Sequence, residues 1–244
     1  MLALITIPWV HKEHARTSHE GALYAALDCI GAGNPALAQR LHDNSTPPPY
    51  SAHLVEGLLT IGALTNEIIA ALDNSHLAYK AQVVRCVDFD ELLAEGAAAA
   101  RAKLRLEFVT PTGFGRDGGQ HVLPEPSLVF GNLVRRWRQM DGPECPAFDW
   151  QEIRVIWTRL ITRKTEMSRF VVWGFLGGVL LDIPDVPGMR QWCHALARFG
   201  EYAGVGRKTS YGFGRMTVLE ENSSGRQADL SLDSRGRRGT DAER

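Results

Sequence analysis

Between Gly204 and Gly214 the chain reads GVGRKTSYGFG, four glycines in eleven residues. Glycine permits positive φ and lets backbone come close to a ligand. Between the glycines stand Arg207, Lys208, Thr209, Ser210 and Tyr211. Two cations, two hydroxyls and an aromatic ring are the groups that hold phosphates and stack on bases. The segment is no Rossmann fingerprint, which would need glycine where Thr209 stands and a strand before it, and it has no Gly-Lys-Ser/Thr of a Walker loop. It also fits a plain helix-to-strand turn in which Gly204, Gly206, Gly212 and Gly214 serve only geometry. His42 is the second candidate. Histidine changes charge near neutral pH and can give or take a proton. Near the C-terminus of a helix the dipole favours imidazolium, which would suit a general acid. A solvent-facing histidine that only satisfies helix-end carbonyls fits the same position.

Further cations gather at two places. Arg135, Arg136 and Arg138 share a predicted helix, and Arg163, Lys164 and Arg169 flank a predicted hairpin turn. The hairpin could grip phosphates, although both groups also suit a solvated charged face. The formal net charge is −1, so any nucleic-acid surface must come from such local clustering. Cys29, Cys86, Cys145 and Cys193 are scattered, with no CxxC pair, as expected of reduced thiols in a cytoplasm. No His or Cys spacing suggests a metal, and no cofactor is expected. His11, His14, His19, His76, His121 and His194 read as surface or loop residues. Leu2 to Val10 lacks preceding basic residues and contains Pro8, so it reads as a strand and not a signal peptide. Phe170 to Ile183 is too short to span a bilayer. No membrane association is expected.

The elements that would carry these residues follow from period and caps. Leu2 to Ile7 is a strand. Thr17 with Glu20 makes a capping-box pattern, and Ala22, Leu23, Ala26, Leu27 and Ile30 then recur at helical spacing. Asn34-Pro35 opens a second helix, ending near His42. Strands at Tyr50–Glu56, Leu58–Leu64 and Tyr79–Asp88 enclose a helix at Thr65–Asn74. Strand, helix, two strands, helix, strand is the split βαβ order. An alanine-rich helical linker, Phe89 to Ala100, follows. The order then repeats with a strand from Leu104, a helix at Pro126–Gln139, strands at Ile153–Ile161 and Phe170–Leu181, a helix at Gly188–Tyr202 and a strand at Arg215–Glu220. The expected fold class is α+β, two tandem ferredoxin-like (RRM-like) domains at 1–100 and 101–221. The second ends in the glycine-rich loop, and the tail 222–244 is expected to be disordered.

GVGRKTSYGFGRM resembles the C-terminal glycine-rich loop of the RAMP superfamily of CRISPR-associated proteins. Further blocks narrow the resemblance to its repeat-cleaving endoribonucleases: NPALAQRLHD at 34–43, PYS at 49–51, FVTPTGF at 108–114, PEPSLVFGNLVRRW at 124–137 and GFLGGVLLDI at 174–183. They span residues from about 20 to 218 in the family's order. The resemblance implies metal-independent cleavage of a precursor within each CRISPR repeat. A 2′-hydroxyl attacks the neighbouring phosphorus, leaving a 2′,3′-cyclic phosphate and a 5′-hydroxyl. It implies repeat RNA as the partner and His42 as the catalytic histidine. It leaves homodimerisation and association with other CRISPR effector subunits open. Two positions depart from the pattern: Leu27 stands where some members carry tyrosine, and Pro48 where they carry lysine. Tyr24, one turn before Leu27, is one replacement candidate. His53 is the other, since its alternation with Ser51 on a strand would allow a His42–His53 acid/base pair. Two other functions fit the residues: a catalytically silent RAMP subunit that binds guide RNA, and an unrelated ferredoxin-like RNA-binding protein.

Overall fold

The computed structural model describes residues 1–9, 19–43, 47–55, 57–77, 80–116 and 118–219. The Thr17–Glu20 capping box, His11, His14 and the tail 222–244 lie outside the described residues. The first unit runs β1 (Leu2–Pro8), α1 (His19–Gly33), α2 (Pro35–Asp43), β2 (Tyr50–Val55), β3 (Leu58–Ala63), α3 (Asn66–Asp73) and β4 (Gln82–Val87). Its strands form an antiparallel sheet in the order β2-β3-β1-β4. Next come α4 (Phe89–Ala98), β5 (Lys103–Thr112), a small hairpin of β6 (Phe114–Arg116) and β7 (Gly119–His121), and α5 (Pro126–Gln139). The chain continues through β8 (Arg154–Glu166), β9 (Val171–Asp182), α6 (Met189–Ala203) and β10 (Met216–Leu219). The second sheet has the order β10-β5-β9-β8. Its central and edge strands are placed as in the first, so the chain is an α+β tandem of ferredoxin-like units.

Local chemistry accounts for the elements that carry the site. The Asn34 side chain accepts from the Leu37 amide at 3.0 Å, and Pro35 opens α2, whose last turn delivers His42. Asp88 and Glu91 form a reciprocal capping box at the start of α4. That helix is more than a linker. Leu92 is fully buried in the core of the second sheet, and Gly96 allows the backbone of α6 to approach it closely. Strand β8 runs to Glu166, five residues past the expected end. Its last residues, TRKTE, are polar, and what carries them is the ladder to β9. The β6–β7 hairpin was not expected, because three-residue strands are too short for alternation to register.

The two units share an interior. Along β1, Ala3, Ile5 and Ile7 pack in the cluster that holds the side chains of α1 and α3. Leu2 and Leu4, on the other face, join the core of the second sheet and α6. At the contact, the Ser51 hydroxyl donates to the Tyr202 carbonyl at 2.6 Å. A side chain at Gly62 would collide with that carbonyl. Gly62→Ala should therefore destabilise the protein by about 1–3 kcal/mol, the usual cost of overpacking, measured by urea unfolding. An unchanged midpoint would mean the sheet and α6 are not in contact here.

Candidate active site

Where the two units meet, the last turn of α2 faces the glycine-rich segment across a cavity of about 700 Å³. His42, Tyr24 and Pro48 line one side. Arg135 and Arg136 of α5, Arg169 and Phe170 of the β8–β9 turn, and Gly206 to Tyr211 line the other. Tyr24 is 53% exposed, and the His42 side chain is 56% exposed. Both can reach a ligand. His42 Nδ1 lies 3.3 Å from the Asp43 carboxylate. Hydrogen bonds from Gln39 and His42 hold the Asp43 carboxyl below its ordinary range, so it stays ionised and can orient the ring.

The glycines serve the shape of the wall. Gly206 has φ +85° and Gly214 φ +73°, and at each an added side chain would strike backbone. The loop is tied to the FVTPTGF block: the Gly214 amide donates to Pro111 O at 3.1 Å and the Arg207 amide to Gly113 O at 3.0 Å. The Gly206 amide donates to Asn132 Oδ1 at 2.9 Å. Lys208 adopts a left-handed φ of +62°, uncommon for a residue with a side chain. Its ammonium is held 4.7 Å from the Phe170 ring and 4.9 Å from the Tyr211 ring. Thr209 and Ser210 are buried. A hydrogen bond joins the Ser210 and Tyr50 side chains.

Arg136 binds this assembly together. It is 4% exposed. It donates to the Thr209 hydroxyl, to Pro48 O at 3.2 Å and to Tyr50 O at 3.4 Å. Burial, with Arg135 beside it, lowers its pKa to about 10, so it remains charged at neutral pH. Arg136 was expected only as one of three clustered helix cations, and Asn132, Asp43 and Phe170 were not singled out as site residues in the sequence. The i, i+4 spacing of Asn132 and Arg136, two polar residues on the buried side of an amphipathic helix, was the available signal.

The other expected residues go elsewhere. His53 is 3% exposed and does not line the His42 cavity. It opens instead on a cavity of about 210 Å³ with His19, Arg163, Val109 and Gly212. The structure thus does not bring His42 and His53 together. Two histidines expected at the surface are packed: His19 stacks on Phe213 at 4.0 Å, and His194 is 7% exposed. Lys164 pairs with Glu166 at 2.6 Å, outside the cavity. Arg163 faces His19, and Arg169 alone of the three hairpin cations reaches the His42 cavity. Burial, aided by Arg215, pushes His53 down to about 3. Its folded pKa is below the unfolded value of about 6.5, so the unfolded chain binds the extra proton. Stability should fall as pH drops below about 6.5, by about 2 kcal/mol between pH 7 and 5 from this group. His53→Gln should remove that share of the acid loss, read by urea unfolding at the two pH values. An equal acid loss in the variant would refute it.

Residues 106–216 match the family model of the CRISPR-associated endoribonuclease Cas6. A Mycobacterium tuberculosis CRISPR-associated endoribonuclease Cas6 is 31% identical over 121 residues, 48% of this chain and 38% of that protein. One from Streptococcus thermophilus is 28% identical over 119 residues, 46% and 49% of the two chains. The matched segment thus covers less than half of each relative. A solved Cas6 product complex has a TM-score of 0.72 at 22% identity, covering 90% of this chain and 99% of that one. The second unit is thus similar in sequence to the Cas6 family model, and the chain as a whole shares the fold of the solved Cas6 product complex.

Proposed function

We propose that this chain is an endoribonuclease that binds CRISPR repeat RNA and cuts it within the repeat by metal-independent transesterification. One observation carries the reading: His42, Tyr24 and the cations of the glycine-rich segment converge on one solvent-open cavity. The chemistry needs a proton donor for the departing 5′ oxygen and positive charge around the phosphorane. His42 gives the proton. Lys208, Arg169 and Arg135 face the phosphate oxygens. Tyr24 hydrogen-bonds the attacking 2′-hydroxyl, whose proton leaves to water. This set takes the place of a tyrosine at Leu27, which is 8% exposed, and of a lysine at Pro48, which here supplies only a carbonyl to Arg136. Relatives named CRISPR-associated endoribonuclease Cas6 and the Cas6 product complex support the reading.

The test is incubation of repeat RNA with the protein in EDTA, with analysis of both product ends. Cleavage to a 2′,3′-cyclic phosphate and a 5′-hydroxyl is expected. The side chains at Leu27 and Pro48, which can neither move a proton nor carry charge, favour a silent guide-RNA-binding subunit as the second reading. Tight binding with no cut would establish it.

A further inference from the structure

We propose that the open face of the second sheet is a second RNA-binding surface, on which a base of single-stranded RNA flanking the cleavage point stacks against Trp157. The inference rests on the reading of the His42 cavity as the cleavage site.

Sheet parity defines the face. On β5, Leu104, Leu106 and Phe108 are buried among the residues of the second core, so Lys103, Arg105, Glu107 and Val109 point the other way. On β8, Trp157, Arg159, Ile161 and Arg163 alternate onto that same open face. Trp157 is 41% exposed and Ile161 61%. An indole left 41% open on a sheet needs an explanation. Its seat is built for it. A Cβ added at Gly178 would lie 2.9 Å from the Trp157 ring, so the glycine lets the indole lie over β9. The Arg105 guanidinium sits over the ring, 5.1 Å from its centroid. An indole and a guanidinium stacked together offer a flat cationic platform, the surface on which unpaired bases stack.

The neighbourhood extends the platform into a track. Arg159 pairs in register with Gly178, and Arg163 with Gly174. Beside each arginine β9 presents no side chain, so the Trp157 ring and Glu107 settle over Gly178, and Pro111 and Thr112 close on Gly174. The cations Lys103, Arg105, Arg159 and Arg163 face two carboxylates, Glu107 and Asp182. Asp182 is already ion-paired with Arg154. The balance favours a polyanion. From Trp157 to Arg163 the strand covers about 20 Å, at roughly 3.3 Å per residue. Beyond Arg163 the hairpin ends at Arg169 and Phe170, which line the His42 cavity. RNA on this face would thus run directly to the cleavage site.

The experiment compares Kd for two repeat RNAs, one carrying eight unpaired nucleotides on each side of the cleavage point and one trimmed of them. In the 244-residue chain, Trp157→Ala should weaken binding of the longer RNA about ten-fold, the effect of losing one stacked base. Binding of the trimmed RNA and the cleavage rate at saturating RNA should not change. Trp157→Phe should keep most of the affinity. Should the alanine variant fail to fold, photo-crosslinking of 4-thiouridine RNA to the wild type decides. Crosslinks in residues 154–163 are expected, and their absence beside crosslinks in the glycine-rich segment overturns the proposal. Equal affinity of Trp157→Ala and wild type for the longer RNA also overturns it. So does a dimer that this substitution converts to monomer, which would assign the face to a second copy. Binding is read apart from cleavage: RNA held but uncut contradicts the nuclease reading alone, and loss of the Trp157 difference contradicts this one alone.

Discussion

His42→Ala should slow single-turnover cleavage of repeat RNA by about 10²–10⁴-fold, the range a positioned general acid or base contributes. RNA affinity should stay nearly the same. The split follows from where the side chain sits. His42 stands in the last turn of a short helix, is more than half exposed, and among the described residues has its polar contact with Asp43. Its removal leaves no cavity and no buried group unpaired, so stability should hold. The cations proposed to hold RNA, Lys208, Arg169 and Arg135, stand on other elements across the cavity. Single-turnover rates and filter binding with the same RNA separate the two effects. A wild-type rate in the variant would remove His42 from the chemistry, whatever the protein's function.

Arg136→Met should act in the opposite way, lowering stability and RNA affinity together. Methionine fills part of the volume but leaves the Thr209 hydroxyl and the carbonyls of Pro48 and Tyr50 without their donor. Stranding buried acceptors costs about 1–3 kcal/mol. The same three contacts tie α5 to the glycine-rich segment and to the entry of β2. Without them Lys208 and its neighbours lose their fixed place, and Kd should rise about ten-fold, equivalent to about 1.4 kcal/mol. Arg136→Lys should recover only part of this, because an ammonium cannot present the planar fork that reaches both a hydroxyl and a carbonyl. Thermal unfolding and RNA binding measured together check the link. Stability lost with affinity intact would mean Arg136 only fills the core.

Both results depend on residues that differ in how they could be read from sequence. The tandem order was legible from alternating strands such as Leu2–Pro8 and Lys103–Thr112, and from helix starts such as Asn34-Pro35 and Pro126. The glycine-rich segment was legible as a unit, but the roles of its parts were not. Its glycines turn the backbone, while Lys208, Thr209 and Tyr211 line the cavity. Arg136 sat within an Arg-Arg-Trp-Arg run that looks like a solvated face, and only packing shows that one of its three arginines is buried. His53 illustrates the reverse. Alternation correctly placed it on a face with Ser51, but that face turns toward the second unit and away from α2. Strand parity says which residues share a side. It does not say what covers that side.

The central claim is that the 2′-hydroxyl of the substrate is the nucleophile and that His42 assists departure of the 5′ oxygen. Repeat RNA carrying one 2′-deoxynucleotide immediately before the scissile phosphate tests it most directly, in EDTA, beside the unmodified RNA. The account predicts that the unmodified strand is cut to a 2′,3′-cyclic phosphate and that the deoxy strand is bound with equal affinity and left whole. Cleavage of the deoxy strand at the same position and rate would contradict it.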